Sequence, residues 1–570
     1  MNRKKQLLFL LIACLLLMTS CAKVKLPTNV NTAFENFTLC LFQQEVSSNT
    51  INLHYSLQEP EKFGITDAPI TLGSFEINET ASLATIENLE QALQKFPYSS
   101  LSRKNQITYD VLSYYLSMLK QDVSYYLYGE PLSPLTGTHA QLPVLLAEYQ
   151  FASTKDVETY LSLLETMPAY FSSLAGFEQQ KSSAGLFMSD ASVDAVIEQC
   201  NAFVAMGSNN YLLTTFESRL DAIKGLSKEL RQQYISKNSS AVNSFVLPAY
   251  ESLALSLASL KGTGKTTEGL CSLPKGKEYY AHLVAVGTGS ERAIPALKVL
   301  IRKQISTDLL DSQKVLSENP DLMEQSSSLQ DSPEQILANL KQNIYNSFPE
   351  SPSVNVTVKH VPSALENYLS PAFYLIPAID NFQENTIYIN QAHATNDIRS
   401  FTTLAHEGYP GHLYQTTYFA STHPDPLRSI LSFQGYVEGW ATYAEMCSYY
   451  ISPFEKPLAT VLQKNNSLIL GLYAAADIGI HYDGWSLSDT ISFFQKYGIT
   501  DAAVVQEIYE HIVCDPANYL TYYVGYLEFL ELKKEVMNLE KDNFSQKEFH
   551  KKVLEIGPAP FEILRKYALK

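Results

Sequence analysis

The run His406-Glu407-Gly408-Tyr409-Pro410-Gly411-His412 constrains this chain more than any other stretch, because it sets two imidazoles and a carboxylate side by side. In an H-E-x-x-H helix the histidines stand four apart, both rings face one metal, and the intervening Glu can work on the water that the metal activates. Here they stand six apart. In a continuous helix turning by about 100° per residue, His412 would point about 120° away from His406, and one ion could not bridge them. Pro410 removes a backbone donor and clashes with the preceding turn, while Gly411 tolerates unusual dihedrals. The spacing predicts a helix distorted after Glu407, with His412 swinging back toward the metal. The competing reading is a helix that ends in a Tyr-Pro-Gly turn and merely has histidines on either side.

A second acidic segment, Glu438-Gly439-Trp440-Ala441-Thr442-Tyr443-Ala444-Glu445, follows downstream. Zinc hydrolases that draw a third ligand from a later helix often take it from a Glu about two dozen residues on, and Glu438 lies 26 past His412. Glu438, Thr442 and Glu445 share one helical face. A buried carboxylate pair on the otherwise apolar helix expected over 435–450 would be costly without a cation or donors to neutralise it. Both glutamates pointing to solvent is the alternative. Taken together, the two segments read as a zinc hydrolase.

These residues carry a family resemblance. His406-Glu-Gly-Tyr-Pro-Gly-His412-Leu-Tyr-Gln415, followed by Glu438-Gly-Trp-Ala-Thr-Tyr443, resembles the bacterial family known as domain of unknown function 885, with its H-E-G-x-P-G-H-x-x-Q and E-G-W-A-x-Y patterns. The likeness continues at Leu273 to Tyr280, Asp477-Ile-Gly-Ile-His481, Gly484-Trp485-Ser486 and Pro516 to Gly525, over nearly the whole mature chain. That family is placed among zincin-like metallopeptidases, near carboxypeptidase Taq and angiotensin-converting enzyme, and its substrates are poorly known. The resemblance implies a mainly α, two-lobed helical fold with a small β-sheet beside the active-site helix. It implies that His406, His412 and Glu438 hold Zn2+ and that Glu407 is the general base. Tyr522 would donate a hydrogen bond to the oxyanion, with Tyr519 and Tyr523 close enough in sequence to compete. His481 would assist that oxyanion or sit behind the site with Asp477; a structural histidine is the equal alternative. Glu445 reads as an acceptor that orients a ligand histidine.

The N-terminus predicts where the protein works. Arg3, Lys4 and Lys5 precede twelve apolar residues, Leu7 to Met18, then Thr19-Ser20-Cys21. That is the order of an export signal, and its apolar core is shorter than the roughly 20 residues a spanning helix needs. Cys21 after small residues resembles a lipobox, so residues 1–21 read as a lipoprotein signal and Cys21 as the lipidated first residue. The protein is then expected outside the cytoplasm, anchored to the membrane. Met18, where Leu is more usual, keeps plain secretion as the lesser reading. A net charge of −17 with no cluster of Lys and Arg argues against nucleic acid as a partner. The remaining cysteines form no C-x-x-C pair.

Apolar residues at three-to-four spacing predict helices over 86–95, 106–120, 154–179, 192–206 and 226–259, an N-terminal helical lobe assigned to residues 22–275. A catalytic lobe is assigned to 276–570. Lys261 to Thr266 ends like a phosphate-binding loop, but Ser259 occupies the first glycine position and a helix precedes it, so it reads as a polar turn. Strand character is confined to Val354–Val358, Phe373–Ile376 and Thr386–Ile389. Asn396 is the expected cap of the helix bearing His406. Thr386 to Asn390 is the candidate edge strand that pairs with an extended peptide; a sheet that only packs on the helix is the alternative.

The expectation is therefore a lipid-anchored zinc metallopeptidase acting on short peptides in a cleft between lobes. A lipoprotein that binds peptide without cleaving it, its zinc site structural or vestigial, is the rival. A zinc amidase or esterase is the third reading.

Overall fold

The structure is a computed structural model that describes residues 29–134, 137–264, 268–322, 329, 331–361, 366, 370–393, 395 and 397–570. The export signal and Cys21 lie outside the described residues, as does Asn396. The described chain is mainly helical, with one three-stranded sheet. No described helix is long and apolar enough to cross a membrane. The chain divides into two compact units. One gathers Leu101–Leu112 with Glu268–Lys570, and the other holds residues 29–100 and 113–264.

In the smaller-numbered unit, apolar periodicity locates the helices and proline decides where they break. The run expected over 154–179 is two helices, Thr154–Glu165 and Met167–Ala184. Pro168 stands in the first turn of the second, where its missing N–H costs nothing, whereas in mid-helix it would clash with the preceding turn. The run expected over 226–259 is likewise interrupted, by a π turn at Val242–Val246 just before Pro248. A wider turn is how a helix absorbs a residue that cannot complete its ladder. The helix Leu247–Leu260 packs on Asp190–Ala205 and Met167–Ala184. Tyr250 sits between Phe171 and Phe203 there and donates its hydroxyl to the His139 carbonyl at 2.6 Å.

The other unit carries the sheet. Strands β1 (Asn355–His360), β2 (Ala372–Leu375) and β3 (Glu384–Ile389) are ordered β1-β3-β2, β1 parallel and β2 antiparallel to β3. This corrects the expected edge. Residues 386–389 are paired on both sides, with Thr386 opposite Thr357 and Leu375, so that stretch of β3 has no free backbone to offer a peptide. β2 lies at the margin that faces the helix Ile398–Glu407. The cap of that helix is also corrected: Asp397, not Asn396, accepts the Arg399 N–H at 2.9 Å. Asp and Asn cap equally well, so sequence could not choose between neighbours.

Two long helices set the remaining geometry, Gln434–Ser448 and Asn518–Glu540. They cross where Gly439 meets Gly525: a Cβ added to Gly439 would lie 2.5 Å from both Cα and C of Gly525. Backbone cannot yield as a side-chain tip can, so only hydrogen fits at this crossing. Gly439→Ala should therefore cost stability by about 1–3 kcal/mol, the usual scale for overpacking. Urea unfolding of the variant measures it; an unchanged midpoint would mean that the helices do not approach this closely.

Candidate metal centre

The helix that begins at Ile398 buries Ile398, Phe401, Leu404 and Ala405 and ends at Glu407. A new helix begins at His412. Between them the Tyr409-Pro410 peptide is cis, and the Gly411 N–H donates to the Ala405 carbonyl at 2.9 Å. The chain thus doubles back over the last turn. A Cβ on Gly411 would lie 1.8 Å from the His406 carbonyl oxygen, so glycine alone permits this approach. The reversal brings the two imidazoles together, their ring centroids 4.8 Å apart and their planes at 82°.

Glu438 reaches the same place from the helix Gln434–Ser448. Its Oε2 lies 3.2 Å from His412 Nε2 and 3.7 Å from His406 Nε2. One donor atom from each of the three residues falls within 4.8 Å of the others. A tetrahedral zinc with ligands near 2.0–2.1 Å holds its donors about 3.3 Å apart, so two imidazoles and a carboxylate at this spacing suit one such ion. Glu438 is 7% exposed, which excludes the reading in which it points to solvent.

The E-G-W order of the sequence acquires a distinct contact for each residue. Glu438 faces the histidines, Gly439 admits the helix that carries Tyr522, and Trp440 Nε1 donates to the Pro410 carbonyl at 2.9 Å. That last bond ties the Glu438 helix to the reversal between the histidines. A single turn of helix thereby fixes a candidate ligand, its neighbour and the loop that places the other two.

Behind the donors, His406 Nδ1 donates to Glu445 Oε2 at 3.1 Å, and Glu445 Oε1 accepts from Asn466 Nδ2 at 2.7 Å. Fixing the proton on Nδ1 turns Nε2 toward the centre, the usual way a carboxylate sets a ligand histidine's tautomer. Asn466 carries no sequence signature and was not anticipated. Glu407, beside His406, is held by a backbone donor: the Tyr374 N–H of β2 lies 2.8 Å from its Oε2. A main-chain N–H leaves no trace in composition, so β2 could not be assigned this part from sequence.

Of the three tyrosines, the fold brings Tyr522 to the centre, its ring 6.3 Å from that of His406. Tyr519 packs against Tyr473 instead, at 4.9 Å. Tyr523 runs toward the helix Lys456–Ile478, close enough that a Cβ on Gly471 would lie 2.7 Å from its oxygen. His481 is a correction. It is buried, its Nδ1 accepts from the Leu270 N–H at 3.1 Å, and its Nε2 donates to the Ile512 carbonyl at 2.8 Å. Both nitrogens serve the backbone, leaving no donor for an oxyanion.

Electrostatics follows from burial among these acids. Burial alone would push the His406 imidazole down, but the neighbouring carboxylates of Glu438, Glu445 and Glu407 outweigh it and hold the group up at about 10. Burial raises Glu438, and the two histidines overcome that and keep its carboxyl well below the usual range. The Tyr522 phenol is pushed well above its ordinary value by burial, then by Glu438 and Glu407. Because the carboxylates hold a proton on His406 up to about pH 10, a cation taking that ring must displace the proton. Zinc affinity should then rise with pH, by up to about tenfold per unit below that value. Chelator competition at several pH values tests this, and a pH-independent constant between pH 6 and 9 would contradict it. Glu445→Ala should weaken zinc binding by about 10–100-fold in the same assay.

Two solved structures resemble this chain over almost their full length. A candidate lipoprotein from Colwellia psychrerythraea is 19% identical with a TM-score of 0.77, covering 95% of this chain and 98% of its own. A candidate lipoprotein of unknown function from Shewanella oneidensis is 18% identical with a TM-score of 0.60, covering 95% and 99%. At these identities the likeness establishes a shared fold. No curated protein matches the sequence. The family described as bacterial protein of unknown function (DUF885) matches over residues 73–567, and the chain belongs to it.

Proposed function

We propose that this protein is a zincin-like metallopeptidase that hydrolyses peptide bonds of short peptides. The observation that carries the reading is the convergence of His406 Nε2, His412 Nε2 and Glu438 Oε2 beside Glu407, a carboxylate held by the backbone of a sheet margin. When bound, a zinc ion supplies Lewis-acid polarisation and makes water acidic enough to attack near neutral pH. Glu407 takes the proton from the attacking water and passes it to the leaving amine. The Tyr374 N–H fixes one of its oxygens and leaves the other to exchange that proton. Tyr522 donates its O–H to the oxyanion as charge develops. Burial and the neighbouring carboxylates keep that phenol protonated, which is what a donor requires.

A peptide backbone is read by the outer margin of β2, not by β3. The Tyr374 N–H points away from β3 toward Glu407, so the free side of β2 runs alongside the reacting group. Main-chain pairing on such a margin selects extended peptide with little demand on side chains.

Turnover of a mixed-peptide digest, read by mass spectrometry, tests the reaction. Glu407→Gln should lower kcat by about 10²–10⁴-fold while zinc stoichiometry stays at one. Tyr522→Phe should lower kcat by about 10²-fold with KM little changed. Full activity in Glu407→Gln, or after complete removal of zinc, would end the proposal. Bound but uncleaved peptide in zinc-loaded protein would favour a binding lipoprotein, and turnover confined to cell-wall fragments or esters an amidase or esterase.

The same reading places the protein outside the cytoplasm, anchored through lipid on Cys21. The charged, apolar and small-residue order of 1–21 supports it, as does the description of both similar structures as lipoproteins. Cys21→Ser should release the protein to the soluble fraction and abolish radiolabelled palmitate incorporation; a membrane-bound, labelled variant would refute the anchor.

A further inference from the structure

Three stretches shared with the family lie away from the metal centre yet converge on one point: Leu273 to Tyr280, Asp477 to His481 and the Pro516 end of the helix carrying Tyr522. Asp477 is fully buried, and its Oδ1 accepts both the Tyr280 hydroxyl at 2.6 Å and the Ala517 N–H at 3.1 Å. Ala517 immediately precedes the helix Asn518–Glu540 and has φ of 63°, a left-handed conformation that a residue with a Cβ keeps only when its surroundings enforce it. Five residues on, in the second turn, stands Tyr522. His481 stacks on Tyr280 with centroids 5.4 Å apart and bonds the Ile512 carbonyl, in the last turn of the helix before Ala517. A π turn at Gly479–Asp483 directs His481 there. Burial pushes His481 down to about 4, so the ring is neutral and can accept from Leu270 while donating to Ile512.

We propose that Asp477, Tyr280 and His481 form a buried brace that sets the start of the Tyr522 helix and hence the position of the Tyr522 phenol. They are positioning residues that act through Tyr522 without touching substrate. The idea rests on the reading of Tyr522 as the oxyanion donor, and it explains why an acid and a histidine with no solvent access accompany the metal motif. Asp477 fixes the first N–H ahead of the helix, and His481 fixes the carbonyl end of the preceding one. The hinge between the two helices is thereby held from both sides.

The test compares Asp477→Leu, which removes the acceptor, with Asp477→Asn, which keeps an oxygen in its place. Asp477→Leu should lower kcat by about 10–100-fold, the scale of a group displaced by about 1 Å, with KM and zinc stoichiometry unchanged. Asp477→Asn should stay within about threefold of the parent, and Asp477→Leu should have no further effect in a Tyr522→Phe background. Independently of turnover, fluorine NMR of 3-fluorotyrosine at position 522 should shift in Asp477→Leu and not in Asp477→Asn. Equal losses in both backgrounds, or an unmoved resonance in Asp477→Leu, would overturn the brace. Should Tyr522→Phe alone leave turnover intact, the donor reading fails, and the resonance still decides whether the brace exists. If Asp477→Leu does not fold, Tyr280→Phe removes one hydroxyl from the same acceptor; a resonance that stays put there overturns the proposal equally.

Discussion

A carboxylate confined between two imidazoles sets the terms for everything around it. Glu438 is nearly without solvent, and a buried charge is tolerated only when partners replace the water it has lost. His406 and His412 supply that replacement, and along an unbroken helix the two could not both do so. The reversal at Gly411 is therefore a requirement of the charge as much as of any ion. Trp440 fastens the reversal to the helix that bears Glu438, so the acid and its partners are held by one piece of scaffold. Glu445 and Asn466 repeat the pattern one layer out, each group satisfied by the next.

Distance between helices is the second control. Gly439 and Gly525 allow two backbones to touch, and the helix that follows Ala517 delivers Tyr522 beside His406 as a result. Tyr519 and Tyr523, four residues apart and so only about 40° from one another round the helix, turn to the helix Lys456–Ile478 instead, one packing on Tyr473 and the other pointing at Gly471. Tyr522, about 60° round the helix from Tyr519 and about 100° from Tyr523, is the one that this rotation turns toward His406. The Asp477 and His481 contacts fix where that rotation starts.

Much of the centre was legible because its chemistry is local. His406, Glu407 and His412 lie within seven residues, and Glu438 and Glu445 share a helical face at i and i+7, so their grouping could be read from spacing. The break after Glu407 followed from proline and glycine beside a spacing that no straight helix could use. Sheet order was not legible: the three strands were recognisable by their β-branched and aromatic residues, but nothing in them states which one is central. His481 stood as a participant or a structural histidine on the strength of the Asp477-Ile-Gly-Ile-His481 resemblance, and only its two backbone partners show how it is used.

The sequence by itself determined which side chains can be grouped around one ion and that the helix bearing His406 breaks after Glu407, since these depend on residue type and near spacing. Tertiary structure alone decided that β3 is enclosed and β2 marginal, that Tyr374 holds Glu407 through a main-chain N–H, and which of three tyrosines meets the histidines. Those outcomes arise from contacts between segments far apart in the chain, and backbone donors, which every residue but proline carries, leave no mark in the order of side chains.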